Sequence, residues 1–201
     1  MRRTLLALGG VVLLTVSACS SRSHDAAPPT TSTPRSTTSA PGPYSIPTVI
    51  TVAYVNSVFV VLNHVYSNAE RELASTRQVN AEVRADLRAI FNDPAYDQQV
   101  QAAEASLKQG VINNVRPDGG DAETVVDRLI TGTSACIFVE TTSDPSALFV
   151  EPVLEPASEY FELLLKQPGA DPLGLNSTPW AYGADEVFLK PTSVASKCEP
   201  A

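Results

Sequence analysis

The sequence predicts an α+β domain in which N-terminal helices pack on one face of an antiparallel sheet. Two observations lead there. Residues 47–110 place apolar side chains at helical spacing, with stop signals between the runs. Residues 124–189 hold short segments rich in Val, Ile, Thr and Phe, separated by Gly, Ser, Asp and Pro. Helices first and strands afterwards is the order of an α+β fold. A third observation sets the frame. The 201 residues are 43% hydrophobic and 18% charged, a composition too apolar for a disordered chain and too interrupted for a multi-span membrane protein.

The elements follow in order. Residues 46–66 include 14 apolar side chains, and no formal charge lies between Arg35 and Glu70. Asn56, Ser57, Asn63 and His64 interrupt this run, which favours a buried helix over a membrane span. Pro47 suits a first helical turn, so the expected helix covers 47–73. Val79, Val83, Leu87 and Ile90/Phe91 recur at helical spacing, with Glu82, Arg84, Asp86 and Arg88 off the stripe. Asn92-Asp93-Pro94 breaks the chain. Asp93 suits an N-cap and Pro94 the first position of a third helix. Tyr96, Val100, Ala103 and Leu107 form its stripe, and Gly110 its stop.

The second half changes character. Val111–Val115 is short and apolar, and Asp118-Gly119-Gly120-Asp121 is a turn. Thr124–Thr131, Ala135–Thr141 and Ala147–Val153 have strand composition. Tyr160–Lys166 has the Glu and Leu of a helix, but a strand there completes an antiparallel sheet. Trp180–Leu189 supplies a last strand, bent or broken near Gly183.

The N-terminus reads as an address. Arg2 and Arg3 precede a short apolar run, Leu5–Val16, the pattern of a signal peptide over residues 1–18. Val16-Ser17-Ala18-Cys19 resembles the lipobox of bacterial lipoproteins. That resemblance implies that residues 1–18 are removed and that Cys19 is lipidated. An extracytoplasmic location on the cell membrane would follow. Residues 19–45 form a stalk. Seven Ser, five Thr, five Pro and three Ala occupy residues 20–45, a composition that cannot bury a core. The stretch from Thr30 to Pro41 also looks like an O-glycosylated stalk. The folded domain is then 46–201.

The order of elements over residues 47–190 resembles the NTF2-like cone, also called SnoaL-like, in which N-terminal helices fill the concave face of a curved sheet. Cys136-Ile137-Phe138-Val139, then Asp171-Pro172-Leu173-Gly174-Leu175-Asn176-Ser177-Thr178-Pro179-Trp180, then a late Cys198, resemble uncharacterised envelope lipoproteins of high-GC Gram-positive bacteria. The resemblance implies a fold and brings no established activity.

With Cys19 acylated, Cys136 and Cys198 remain. An even pair in an exported chain points to a disulfide, which would staple the tail Lys190–Ala201 to the strand of Cys136. Two free thiols or a redox pair are the alternatives, although no C-x-x-C spacing supports redox chemistry.

Acidic residues outnumber basic ones, 22 to 14, for a net charge of −8. That disfavours binding to a phosphate backbone, and no nucleic-acid partner is expected. His24 falls in the stalk. His64 is the one histidine of the folded part and the weak catalytic candidate, because enzymes of the resembled fold place a His or Asp inside the cone. Asp127 and Glu140 are the strand carboxylates it could meet. Asp118, Asp121 and Glu123 crowd a turn whose default state is a solvated hairpin. No G-x-S-x-G and no phosphate-cradling loop occurs, and Asn176-Ser177-Thr178 matches a glycosylation sequon by chance. Neither a metal nor another cofactor is expected. The favoured expectation is a non-enzymatic binding module, anchored by lipid, for a protein partner or an apolar ligand. A homodimer through the sheet would fit it. The rivals are a SnoaL-like small-molecule enzyme and an accessory subunit of an envelope transport complex.

Overall fold

A computed structural model describes residues 45–150, 157–183 and 198 of the chain. Cys19, the signal peptide, the stalk up to residue 44, residues 151–153 and 184–189, and the tail apart from Cys198 lie outside the described residues. Three helices pack on a four-stranded antiparallel sheet, so the fold is α+β. No described helix is long and apolar enough to cross a membrane.

Helix α1 spans Val52–Thr76. It starts later than Pro47 because Thr51 caps it, its hydroxyl accepting from Tyr54 N at 3.2 Å. It runs to Arg77, which closes it in the left-handed region at φ 58°. Helix α2 spans Ala81–Ile90, capped by Asn80 through Val83 N at 2.9 Å. Helix α3 spans Ala95–Gln109 and ends at Gly110, whose φ of 73° is a conformation glycine adopts without strain. The expected cap at Asp93 is not made. Pro94 holds the N-cap position without a side-chain bond. The Asp93 carboxylate turns back to Arg88, at 2.6 and 3.0 Å, a bidentate pair that α2 offers within reach.

Strands β1 (Glu123–Gly132), β2 (Cys136–Asp144), β3 (Ala157–Leu165) and β4 (Trp180–Tyr182) lie side by side in that order. The helical composition of β3 is overridden by its pairing, in which eight residue pairs join it to β2, from Cys136↔Leu164 to Ser143↔Ala157. The register slips on β1 between Val126 and Arg128 and between Leu129 and Thr131, irregularities that bend and twist a strand. β4 stops at Tyr182, although the next amide, that of Gly183, still donates to Glu162 O at 3.0 Å.

Val111–Asn114 forms a 3-10 turn. One expectation changes. The described part of 147–153 is a turn, with only an isolated bridge between Phe149 and Val115. Leu148 N and Phe149 N both donate to Pro145 O, at 3.0 and 3.1 Å, which takes the amides a ladder would need. The apolar character of this segment serves the core instead, since Leu148 is fully buried.

Alternation divides the sheet. Ile137, Val139, Leu163, Phe161 and Tyr182 face the helices and join Phe59, Leu62 and Ile90 in one core. At one end of the sheet, Trp180 Nε1–H donates to Tyr54 Oη at 2.8 Å, and both rings are buried. The loop from Lys166 to Pro179 closes over that end. Asn176 is buried there, its Nδ2 donating to Ala89 O at 2.9 Å and to Trp180 O at 2.7 Å. Its Oδ1 accepts from Thr178 N and from the Thr178 hydroxyl, at 2.9 and 2.8 Å. Asp171 accepts from Lys166, Leu175 N and Asn176 N. The sequon at Asn176 is therefore spent inside the fold.

On the face turned from the helices, the sulfurs of Cys136 and Cys198 lie 2.00 Å apart, placed for a disulfide. A bridge across this sequence separation of 62 residues would stabilise by about 4 kcal/mol in the chain-entropy account. Glu162 stands beside the pair, 4.0 Å from Cys136 Sγ.

Candidate functional site

His64 sits on the outer surface of α1, with its side chain 60% exposed. Its Nδ1 donates to Asp121 Oδ2 at 2.8 Å, and its Nε2 meets the Asn68 amide at 3.3 Å. Arg71 donates to the other Asp121 oxygen at 2.7 Å and to the carbonyls of Gly119 and Gly120. Burial pushes the Asp121 carboxyl up, but the hydrogen bonds from Arg71 and His64 outweigh it and hold it below the ordinary carboxylate range. This set clamps the turn before β1 onto α1. The structure does not bring His64 to either strand carboxylate. Asp127 accepts from Thr142 at 2.7 Å, and Glu140 pairs with Arg128 at 2.7 Å, both on the outer side of the sheet.

The interior between helices and sheet holds a different site. A cavity of about 330 Å³ opens there, at the small end of ligand-binding pockets. Helix α1 sends Asn63 and Tyr66 into it, three residues apart and so on one face. Strand β3 contributes Glu159 and Phe161, which alternation puts on the same side, and β4 contributes Tyr182. Phe91 follows α2 and stacks on Tyr182, with centroids 5.0 Å apart. Phe161 meets Tyr182 at 5.3 Å. Phe149, from the turn that replaces the expected strand, completes the aromatic wall.

A line of polar groups crosses the cavity. Thr124 donates to Asn63 Oδ1 at 3.3 Å and lies 3.4 Å from the Ser143 hydroxyl. Ser143 in turn donates to Glu159 Oε2 at 2.7 Å. Four elements are thus joined, from α1 through β1 and β2 to β3. Burial, and then the Glu159 charge, push the Tyr182 hydroxyl far up, so it stays protonated at every physiological pH. The Glu70 charge, burial and the Tyr66–Glu70 hydrogen bond raise Tyr66 as well. A second cavity of about 190 Å³, beside Glu70 and Leu73, shares Tyr66, Gln99 and Phe149 with the first. Among the described residues, no Lys, Arg or His lines either cavity.

Of the cavity's polar groups, Asn63 stood out in the sequence as an interruption of an apolar run, and Glu159 did not. The available signal was the helical stripe itself. Tyr66 and Asn63 are polar positions on the buried face of α1, whereas His64 is rotated off it by about 100°.

Cys136, Glu162 and Cys198 bring three metal-ligating atoms within 4.8 Å. With the sulfurs bonded to each other they offer no thiolate, and the set is a structural tie.

No protein-family model, curated protein or solved structure matches the chain.

Proposed function

We propose that the chain is a lipid-anchored, extracytoplasmic lipoprotein whose domain, NTF2-like in plan, is a non-enzymatic binding module for a small, largely apolar ligand. One observation carries the reading of the domain. An aromatic cavity of about 330 Å³ lies against the sheet, crossed by a hydrogen-bonded polar line. Apolar walls with few, fixed polar groups are what small-molecule sites share. The lipobox-like Val16-Ser17-Ala18-Cys19 supports the anchor. Labelled palmitate supplied to expressing bacteria should enter the wild-type chain and not Cys19→Ala. Ligand-observed NMR with small aromatic probes should give saturation transfer that a bulky Ser143→Trp substitution removes. Equal transfer in the two proteins would sink the pocket reading.

The second reading is a SnoaL-like acid/base enzyme. Glu159 favours it, as a carboxylate in the cavity beside Ser143 and Tyr182. The base would then be Glu159, with His64 on the outside. Turnover of a bound probe, followed in the same NMR samples, separates the two readings.

A further inference from the structure

The charge inside the cavity is one-sided. Glu159 and Glu123 both line it, and no described cation does. Arg71, Arg88, Arg128 and Lys166 are engaged elsewhere, with Asp121, Asp93, Glu140 and Asp171. Of the Glu159 oxygens, Oε2 takes the Ser143 hydroxyl, while Oε1 accepts no hydrogen bond among the described residues. Burial first, and then the Glu159 charge, raises the Tyr182 hydroxyl on the same wall. Phe91, Phe161 and Tyr182 line the same cavity and pack on one another, with centroids 5.0 and 5.3 Å apart.

These groups discriminate by charge. An anionic ligand would set like charges together in a partly dehydrated space. A neutral one would cover Glu159 and strip it of water without supplying a counter-charge. A cation supplies that charge, and aromatic rings attract it further. A primary ammonium adds three donors, which the open Glu159 oxygen and the neighbouring polar line can accept.

We propose that this cavity takes a small primary amine in its ammonium form, on an apolar body, with Glu159 as counter-ion and Phe91, Phe161 and Tyr182 as walls. The proposal rests on the cavity being a binding site and names the class of ligand. A match in size limits that ligand to a compact body, given about 330 Å³.

The test uses the full chain at pH 7 and three probes of one shape: 2-phenylethylamine, 2-phenylethanol and phenylacetate. Affinities are read by NMR titration. The amine should bind at least tenfold more tightly than the alcohol, and phenylacetate more weakly than both. Glu159→Gln should shrink the preference for amine over alcohol to within about threefold while leaving the alcohol where it was. A smaller loss is expected for Glu123→Gln. If the alcohol or phenylacetate binds as tightly as the amine, the charge assignment is overturned and the binding-module reading survives. If none of the three binds, both are overturned. Should Glu159→Gln fail to fold, the ranking of the three probes on the wild-type chain decides alone.

Discussion

Asn176 and Glu159 each bring a planar polar group up to the sheet, one from the Lys166–Pro179 loop and one from the middle of β3. Asn176 uses both amide protons and accepts two further bonds, all inside the protein. Among the described residues Glu159 has one side-chain partner, Ser143, and it lines an open cavity. Around Asn176 the neighbours are equally occupied, with Lys166 on Asp171 and Asp171 on two backbone amides. Glu159 instead shares its cavity with Phe91, Phe149, Phe161 and Tyr182. The loop therefore closes one end of the fold, and the cavity keeps polar capacity that the fold does not consume. The conspicuous run Asp171–Trp180 is spent on the fold, while the inconspicuous Glu159 keeps an oxygen without a hydrogen bond among the described residues.

Substitutions can break or sharpen this contrast. Asn176→Ala should have the largest effect, a loss of about 3 kcal/mol in urea unfolding, because it strands buried groups of Ala89, Thr178 and Trp180 together. A loss below about 1 kcal/mol would mean that the loop does not brace the fold. Tyr54→Phe removes the acceptor for the buried Trp180 Nε1–H and should cost about 1–2 kcal/mol. The same urea titration checks it, with Trp180 fluorescence as the probe.

Asp86, beside Glu82 and Glu72, lies between these extremes. Burial and then those two charges raise its carboxyl to about 6. The folded state therefore binds more protons than the unfolded state between the ordinary carboxylate pKa and about 6, so this group makes the protein more stable as pH falls through that window. Asp86→Asn should gain about 1 kcal/mol at pH 7 after allowance for solvent screening at a half-buried site. The gain should vanish below about pH 4, which thermal unfolding at a series of pH values would show. A gain that persists at low pH would assign the effect to packing. The smallest effect belongs to Glu159→Gln. Gln keeps the acceptor for Ser143, so stability should change by no more than about 0.5 kcal/mol, whereas amine binding falls. A large stability loss would move Glu159 to the Asn176 side of the contrast.

Much of the fold was legible locally. Helix α3 carried its stripe and its Gly110 stop in sequence, and β1 and β2 their Val, Ile and Thr content. Local composition misread Ala147–Val153, because Leu148 and Phe149 are apolar for the core and the cavity rather than for strand pairing. It was ambiguous for β3, where the deciding contact is with β2, some twenty residues earlier. The site was less legible. Its walls come from seven separate stretches, and whether a side chain on α1 faces in or out turns on a single position: Asn63 enters the cavity and His64 leaves it. The clamp from Arg71 and His64 to Asp121 is likewise a contact between distant parts of the chain, which spacing does not encode.

The tie between Cys136 and Cys198 also has a mechanical side. Closed, it makes a covalent ring that contains β2, β3, the Asn176 loop and β4, while α1, α2, α3 and β1 stay on a linear lead outside it. Tension applied ahead of α1 would meet only non-covalent resistance until it reached Cys136. The helices and β1 could peel away under load while the three ringed strands stayed threaded together, and a protease cut anywhere inside the ring would leave both pieces joined.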